Sequence, residues 1–592
     1  MLNHMTRTLT RLFIAMTFVA AMSLAALAQT PSPTPINPAT AQPTTSTSPI
    51  QDPNFPDIKP QPLPPMPNLQ RVGIIPSNVL SLSMNDAIRR ALQNNNDIEV
   101  ARDDVRVAEQ RLKGLYGFYD PVFAITPAID QRITPVTSIF QGGGTTGSVK
   151  NTTLTVSPTL SKFFEKGGGS YEVQFNNGRT ATNATNSTLN PFYSSNLTLL
   201  YTQPLLRNRK IDGNRHAILV QRKVLSQTDS DFRQRTIAII AQAQAAYWNL
   251  VFALRNQQNQ TDSLNLARQN LQNIEAQISA GAKAPLDRAQ VLTDIATREG
   301  ALYQAAQSVT NAENTLKQIM LKDPISSEWS AQLVPTDAPI LDMSPVDLTA
   351  ALDEAHKNRP ELARLKFQKE INGFDLQYYR DQAKPRIDLT GALVTTGLAG
   401  TPGFTTTNTT PPARIQIPPC PPPSTTNVCV PPTLIGSYGQ DVGNMFKLKY
   451  HEINVGVAIS IPLRNRTAKA NVAASEIQKE QLDASYRSQD QSIEMDVRNA
   501  AQSVDTAQKR VVAARLARES AEQQLAGEQK LFDVGRSTTF FLLQRQTELT
   551  SARTNEIQAE TDYSKALADL QRATSSTLRI NNVVVQSPVP NP

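Results

Sequence analysis

A chain of 592 residues, 18% charged and 39% hydrophobic, is large enough for an extensive ordered structure. After the first thirty residues no apolar run is long enough for a membrane helix. The net charge of +7 falls to +5 once Arg7 and Arg11 leave with a leader, and no basic cluster is interleaved with aromatics, which excludes a nucleic-acid footprint. His4, His216, His356 and His451 are scattered, and the GGG runs at 142–144 and 167–169 lack the Lys-Ser/Thr of a phosphate loop. No local motif suggests a Ser/His/Asp set, so the chain reads as neither an enzyme nor a cofactor or metal carrier.

Arg7 and Arg11 precede an apolar run from Leu12 to about Leu24, and Ala26-Leu27-Ala28 before Gln29 is the small-x-small pattern of a secretory cleavage site. Residues 1–28 are therefore expected to be a removed signal peptide; an uncleaved anchor would need ~20 apolar residues. Gln29, not a cysteine, follows the cut, so no lipid is attached there. Residues 29–78 are rich in Pro, Thr, Ser and Gln and are expected to be extended or disordered.

Beyond that segment the chain repeats. Ala87-Ile88, Leu92, Asn94 and Asp97-Ile98 match Ala351-Leu352, His356, Asn358 and Glu361-Leu362 at an offset of 264, as Pro121 matches Pro385. QPLLRNR at 203–209 corresponds to IPLRNR at 461–466 at an offset of 257, and ISAGAKAPLDRAQ from Ile278 to FDVGRSTTFFLLQ from Phe532 at 254. Features in one order at slowly changing offsets mark a duplicated unit. The repeats span 79–330 and 345–576, joined by a connector at 331–344 and followed by a flexible tail at 577–592.

Each unit predicts a helix of about 35 residues, a strand region, a helix of about 70, a tight Gly turn and a return helix of about 35. Two short helices end to end then equal one long helix of roughly 100 Å. Heptads support the long hairpins: Leu264, Leu271 and Ile278 with Ala267 and Ile274, Leu302, Val309 and Leu316 with Ala305, Ala312 and Ile319, and Ala552, Ala559, Ala566 and Ala573. They establish helical hairpins and no more.

In the strand regions Ile453, Val455, Val457, Ile459 and Ile461 alternate with Asn454, Gly456, Ala458 and Ser460, and Leu154, Val156, Pro158 and Leu160 alternate with Thr153, Thr155, Ser157 and Thr159. Tyr171-Val173-Phe175, Leu197-Leu199-Tyr201 and Ile387-Leu389 are shorter examples. Strands with one apolar and one small polar face fit a membrane barrel. A soluble sandwich alternates likewise; long polar loops at 134–150, 177–195 and 398–440 favour the barrel. At the two joins proline ends the sheet pairing, and Leu with Arg-Asn-Arg starts a helix at a water-facing boundary. The arginines mark that interface, with a grip on lipid phosphates or a ligand as the other reading. Cys420 and Cys429 lie in a Pro/Thr-rich loop of an exported chain, where a local disulfide is expected. A metal pair is the alternative, although no His or carboxylate stands nearby.

The duplicated plan, the two joins and the turns AGAKAPLDRAQ and VGRSTTFFLLQ together resemble the TolC-type outer-membrane efflux protein family over roughly 80–575. The resemblance implies an α+β membrane protein: a trimeric β-barrel, 12-stranded with four strands per protomer, with a long periplasmic α-helical barrel built from two tandem structural repeats. It implies an outer-membrane exit duct of a tripartite efflux or type I secretion system in a two-membrane bacterium. Such a homotrimer carries small molecules or polypeptides passively from an inner-membrane pump of RND, ABC or MFS type, by way of a periplasmic adaptor. A periplasmic coiled-coil adaptor or structural protein without a membrane barrel is the competing reading.

In that frame Ala280, Gly281 and Leu286, with Val534, Gly535 and Phe540, are expected at the periplasmic tips that contact an adaptor, Leu286 and Phe540 packing beneath the turns. Closing a helical hairpin is the purely structural alternative. Asp287, Gln290, Phe541 and Gln544 are the candidates for the entrance constriction. Some family members carry aspartates at the positions of Phe541 and Gln544, so an acidic ring in the second unit is not expected. A second departure is an additional hairpin around 150–177, for which the family plan has no place.

Overall fold

The structure, a computed structural model, describes residues 67–339, 341–342, 344–406, 414–420 and 429–588. The expected signal peptide and the Pro-rich segment up to residue 66 lie outside these residues. The first repeat runs β1 (Val79–Leu82), α1 (Met84–Asn94), α2 (Asn96–Tyr116), β2 (Val122–Pro135), β3 (Ser148–Phe163), β4 (Ser170–Thr182), β5 (Leu189–Pro204), α3 (Gly213–Ser279) and α4 (Pro285–Met320). β6 (Gln332–Pro335) follows in the connector and pairs in parallel with β1. The second repeat is α5 (Leu348–Asn358), α6 (Pro360–Gln382), β7 (Arg386–Thr396), β8 (Ala399–Pro402), β9 (Phe404–Thr406), β10 (Arg414–Gln416), α7 (Tyr438–Phe446), β11 (His451–Ser460), α8 (Arg466–Asp533) and α9 (Thr539–Ala573), with α10 (Thr577–Ile580) after it.

The long helices α3 and α8 have 67 and 68 residues, and the return helices α4 and α9 have 36 and 35. α3 is apolar and long enough over one stretch to cross a membrane, which the reading of the sequence passed over, but 56% of that stretch is buried. It is a core helix: its Tyr247, Leu250 and Val251 pack with Val309 and Leu316 of α4 and with Leu82 and Leu333 of β1 and β6. Farther toward the strands, Val105 and Leu112 of α2 pack with Ile218, Leu225 and Phe232 of α3.

The expected single helix before the strands is two helices in both repeats, of 11 and 21 residues and of 11 and 23. The breaks fall at Asn95 and Arg359, equivalent positions with extended backbone. Asn95 caps α2 by accepting from the N–H groups of Asp97 and Ile98, while its amide donates to the Ile319 carbonyl at 3.1 Å. Asn94 and Asn96 donate to the carbonyls of Met320 and Lys322 at 3.1 and 3.2 Å. In the second repeat Pro360 opens α6, and the Arg359 guanidinium donates to the Ala573 carbonyl at 2.8 Å and to Glu361 and Asp496, each at 3.0 Å. The last carbonyls of a helix have no partner within it. Where a return helix abuts the upper helices, the break supplies the missing donors, so one straight helix is not formed.

Six strands form one antiparallel sheet in the order β11-β7-β5-β4-β3-β2, with β8 paired to the outer part of β5. The hairpin β3–β4 is an integral part of it, so the sheet has six long strands, where the resemblance implies four per protomer. Phe123, Leu160, Val173, Leu199, Leu393 and Ile453 pair in succession across all six strands. Directly paired residues share a face, so this is one continuous apolar rung. The neighbouring rung on the opposite face, Ala124, Thr159, Gln174, Thr198, Val394 and Glu452, is small or polar at most positions. The loops expected at 134–150 and 177–195 are shorter than anticipated, because β2 runs to Pro135, β4 to Thr182 and β5 begins at Leu189. Those outer residues are held by the backbone ladder, which needs no apolar side chains.

Two expected flexible segments are docked where they are described. Ile75 N–H donates to the Ser330 carbonyl at 2.9 Å, and Arg71 pairs with Glu313. After α10, the Val583 N–H donates to the Leu578 carbonyl at 2.8 Å, and Val585 packs on the α2–α3 cluster. Glu313 and Lys317 are 2.7 Å apart with side chains only 1% exposed, and Lys317 also donates to the carbonyls of Trp329 and Ala331 at 2.7 and 2.5 Å. Glu313→Ala would leave Lys317 buried without its counter-charge, an expected loss of about 3–5 kcal/mol. Chemical unfolding followed by circular dichroism in detergent checks this; an unchanged midpoint would show that the pair does not hold the connector.

Candidate functional site: the joins and the hairpin tips

The two joins have different local structures and one common anchor. In the first, Arg207-Asn208-Arg209 is a turn and not the expected helix start: Asn208 has φ 66°, and α3 begins at Gly213 after Asp212, whose carboxylate accepts from Asn214 and Arg215 N–H, both at 2.9 Å. In the second, Asn465 has φ 42° and α8 begins at the next residue. Asparagine tolerates this left-handed backbone better than most residues. Both asparagines bind the end of α6: Asn208 N–H donates to Asp381 at 2.7 Å, Gln382 donates to the Asn208 side chain at 2.6 Å, and Asn465 donates to the Ala383 carbonyl at 2.7 Å. Reading the arginines as boundary markers missed that the asparagine between them makes the turn.

At the far ends of the long helices, Gly281 and Gly535 have φ of 75° and 76°. Each turn closes by the same pair of bonds: Gly281 to Ile278 and Ala282 to Gln277, Gly535 to Phe532 and Arg536 to Leu531, at 2.8–3.0 Å. This is the Schellman closure, which needs a left-handed residue at the glycine position. Ala280 and Val534 are the C-cap residues, both exposed. Leu286 is 79% exposed and Phe540 56%, so neither packs beneath its turn as expected; Phe532, Leu542 and Leu543 are buried there instead. The glycine turns are open, and α4 and α9 start with their first apolar side chains pointing away from the hairpin seam.

The tips meet through Thr539, a buried residue the sequence did not signal: its hydroxyl donates to the Asp287 carboxylate at 3.0 Å. Of the other entrance candidates, Gln290 is half-buried, Phe541 and Gln544 are exposed, and the Phe540 and Phe541 rings meet edge to face at 5.6 Å. Farther along, α3 and α9 share a polar seam in which Asn270 donates to Gln546 at 2.7 Å, and Asn259 to the Thr550 carbonyl and Thr554 hydroxyl at 2.9 and 3.0 Å.

Outside the opposite end of the wall, Cys420 and Cys429 form a disulfide with Cα atoms 4.9 Å apart, next to a small cluster of Leu189, Ile417 and Val430. α7 lies against the sheet there. Buried Asp441 accepts from the Ser195 N–H at 3.2 Å, and Tyr438 donates to Asn177 at 2.8 Å. Ser195 and Asp441 are 246 residues apart, beyond any local pattern. Among the described residues no cluster of His, Cys, Asp and Glu could hold a metal ion.

A single-layer sheet with one apolar face, joined end-on to two tandem helical hairpins, is an architecture shared with solved outer-membrane channels. Residues 433–576 match the family model described as outer membrane efflux protein. No curated protein sequence matches the chain. A membrane protein from Pseudomonas aeruginosa shares its fold with TM-score 0.57 at 16% identity, covering 84% of this chain and 91% of that one. The CmeC outer membrane channel of Campylobacter jejuni matches with TM-score 0.57, 14% identity and coverage of 85% and 90%. The outer membrane protein VceC of Vibrio cholerae does so with 0.54, 14%, 83% and 95%. The fold is that of the TolC-type outer-membrane channels, and the family-model match lies within the second repeat, over residues 433–576.

The second hairpin contains an acid-sensitive link. Glu522 of α8 accepts from Arg553 of α9 at 3.1 Å and from Arg518 at 2.9 Å. These bonds, Arg553 first, hold its carboxyl below the ordinary value of 4.5 against the opposing effect of burial. A depressed folded value contributes stability above the unfolded value that is lost as pH falls through the folded one. The wild-type helices should therefore melt more easily on acidification below that ordinary value, and Glu522→Gln should flatten the dependence. Parallel pH curves for the two proteins would remove Glu522 from the account.

Proposed function

We propose that the chain is a passive outer-membrane exit duct of a tripartite efflux or type I secretion system, assembled as a homotrimer with its helices in the periplasm. The observation that carries this reading is the unbroken apolar rung across six strands, with a more polar rung behind it. β2 is exposed along its whole length and β11 nearly so. In water such a face has to be covered, whereas a lipid bilayer covers it on the outside and leaves the polar face to a wet lumen. A soluble adaptor has no use for it. The helices carry the tips roughly 100 Å from the sheet, toward the inner membrane, where an adaptor and an RND, ABC or MFS pump would meet them. A duct of this kind performs no catalysis and needs no cofactor.

In this reading Ala280, Gly281, Leu286, Val534, Gly535 and Phe540 contact the adaptor, and their exposure in the single chain supports it. Gly535→Asn keeps a residue that tolerates the left-handed turn, while Gly535→Arg adds bulk and charge at the same point. Export should survive the first change and fall at least tenfold in the second, with the trimer still assembled on native gels. Equal export in both would reduce the turn to a hairpin closure.

Asp287, Gln290, Phe541 and Gln544 are proposed to line the entrance. Phe541→Ala is expected to raise single-channel conductance in planar bilayers, and Asp287→Asn to lower cation preference while keeping an acceptor for Thr539. Conductance or selectivity unchanged from wild type would take the corresponding residue out of the constriction.

A further inference from the structure

We infer that each protomer puts six strands into the shared barrel, so that three copies close an 18-stranded wall by pairing β2 of one copy with β11 of the next. The copy number rests on the homotrimer proposed above; the strand count per copy and the closing edges come from the sheet itself.

The hairpin β3–β4 has the structure of wall and not of an appendage. Its strands, 16 and 13 residues long, are paired on both sides, to β2 and β5 as well as to each other. Leu160 and Val173 continue the apolar rung without a step, and Thr159 and Gln174 continue the more polar one. Its turn reaches the level of the strand-to-helix joins: Gln203, at the end of β5, donates to the Gly167 carbonyl at 2.8 Å, and the rings of Phe118 and Phe163 stack at 4.5 Å. The hairpin therefore runs the full height of the sheet.

Connectivity allows the insertion without disturbing closure. β2 leaves the helical end and β5 returns to it, so β3 and β4 add one returning and one outgoing strand between them. The outermost strands β2 and β11 remain opposite in direction, which is what antiparallel pairing between copies requires. Among the described residues each has one unpaired edge. In lipid those edges need partners, and six strands are too few to close alone around a lumen, since eight already leave an interior only wide enough for side chains. A second copy offers the complementary edge.

The test uses the full chain in outer membranes, with single cysteines introduced beside the native disulfide, which does not react with thiol reagents. In the six-strand wall, Thr155→Cys, Ser157→Cys and Gln174→Cys react with a charged, membrane-impermeant maleimide from the lumen. Leu154→Cys, Val156→Cys and Val173→Cys are at least tenfold slower. The pairs Thr126→Cys/Ser157→Cys and Gln174→Cys/Thr198→Cys form disulfides within one chain, and a scan of Ala124, Thr126 and Ala128 against Asn454, Gly456 and Ala458 yields covalent trimers in at least one register. Equal labelling of both faces of β3, or a disulfide in Thr126→Cys/Thr198→Cys joining β2 directly to β5, overturns the six-strand wall. Absence of intermolecular bonds in every register overturns the closing edges. Native mass in mild detergent reads the copy number separately, so a value other than three overturns the trimer and the 18-strand total while the labelling still counts strands per copy. Should a cysteine pair prevent folding, deleting Ser148–Thr182 leaves β2 and β5 antiparallel and connected at their outer ends. That variant should assemble with a narrower lumen, read as exclusion of smaller polyethylene glycols added from the barrel side; an unchanged size cut-off from that side overturns the proposal.

Discussion

A backbone amide or carbonyl taken out of water has to find a partner, and each feature that sets this molecule apart from a plain pair of coiled coils answers that requirement. In the sheet the partners are neighbouring strands. At the ends of the return helices they are Asn94, Asn95 and Asn96 in one repeat and Arg359 in the other. At the joins they are residues 381–383, which receive the chain as it leaves the sheet from both repeats. The duplication preserves these needs more faithfully than the residues that meet them: an asparagine amide and an arginine guanidinium stand at equivalent positions and do the same work.

The helical part divides its interactions by location. Within the first repeat, buried Tyr247 and Leu250 of α3 cluster with Val309 and Leu316 of α4, and in the second Val504, Val511, Ala559 and Tyr563 form a comparable cluster. Between the repeats, α3 and α9 meet toward the tips through Asn259, Asn270, Gln546, Thr550 and Thr554. Apolar burial is non-directional, whereas hydrogen bonds fix register. The hairpins hold themselves together by the first, and they are aligned with one another by the second.

Much of this was legible in the sequence because it is periodic. The strand alternation named the faces, the heptads named the hairpin seams, and the internal repeat placed both glycine turns. The breaks at Asn95 and Arg359 carried local signs, a triple asparagine and Arg-Pro, but their purpose depends on a helix end more than 200 residues away. Ser195 with Asp441 and Thr539 with Asp287 had no local sign, being contacts across 246 and 252 residues. Leu286 and Phe540 were misplaced because distance from a glycine does not fix which way a first-turn side chain faces. The outer parts of β4 and β5 read as loops since their polar residues lack the alternation that betrays a strand below them.

The width of the wall bears on the calibre of the whole conduit. In the proposed trimer each copy would present two long helices and two composite ones, so that about twelve helices would surround the passage, a perimeter of about 110 Å at about 8–10 Å spacing. Six strands per copy, about 4.8 Å apart and tilted by about 40°, give a sheet of nearly the same perimeter, again about 110 Å. Four strands per copy would give about 75 Å and a funnel at the membrane. In that assembly the extra hairpin would let the bore run through without a taper, and cargo that had cleared the tips would meet no second narrowing imposed by the wall itself.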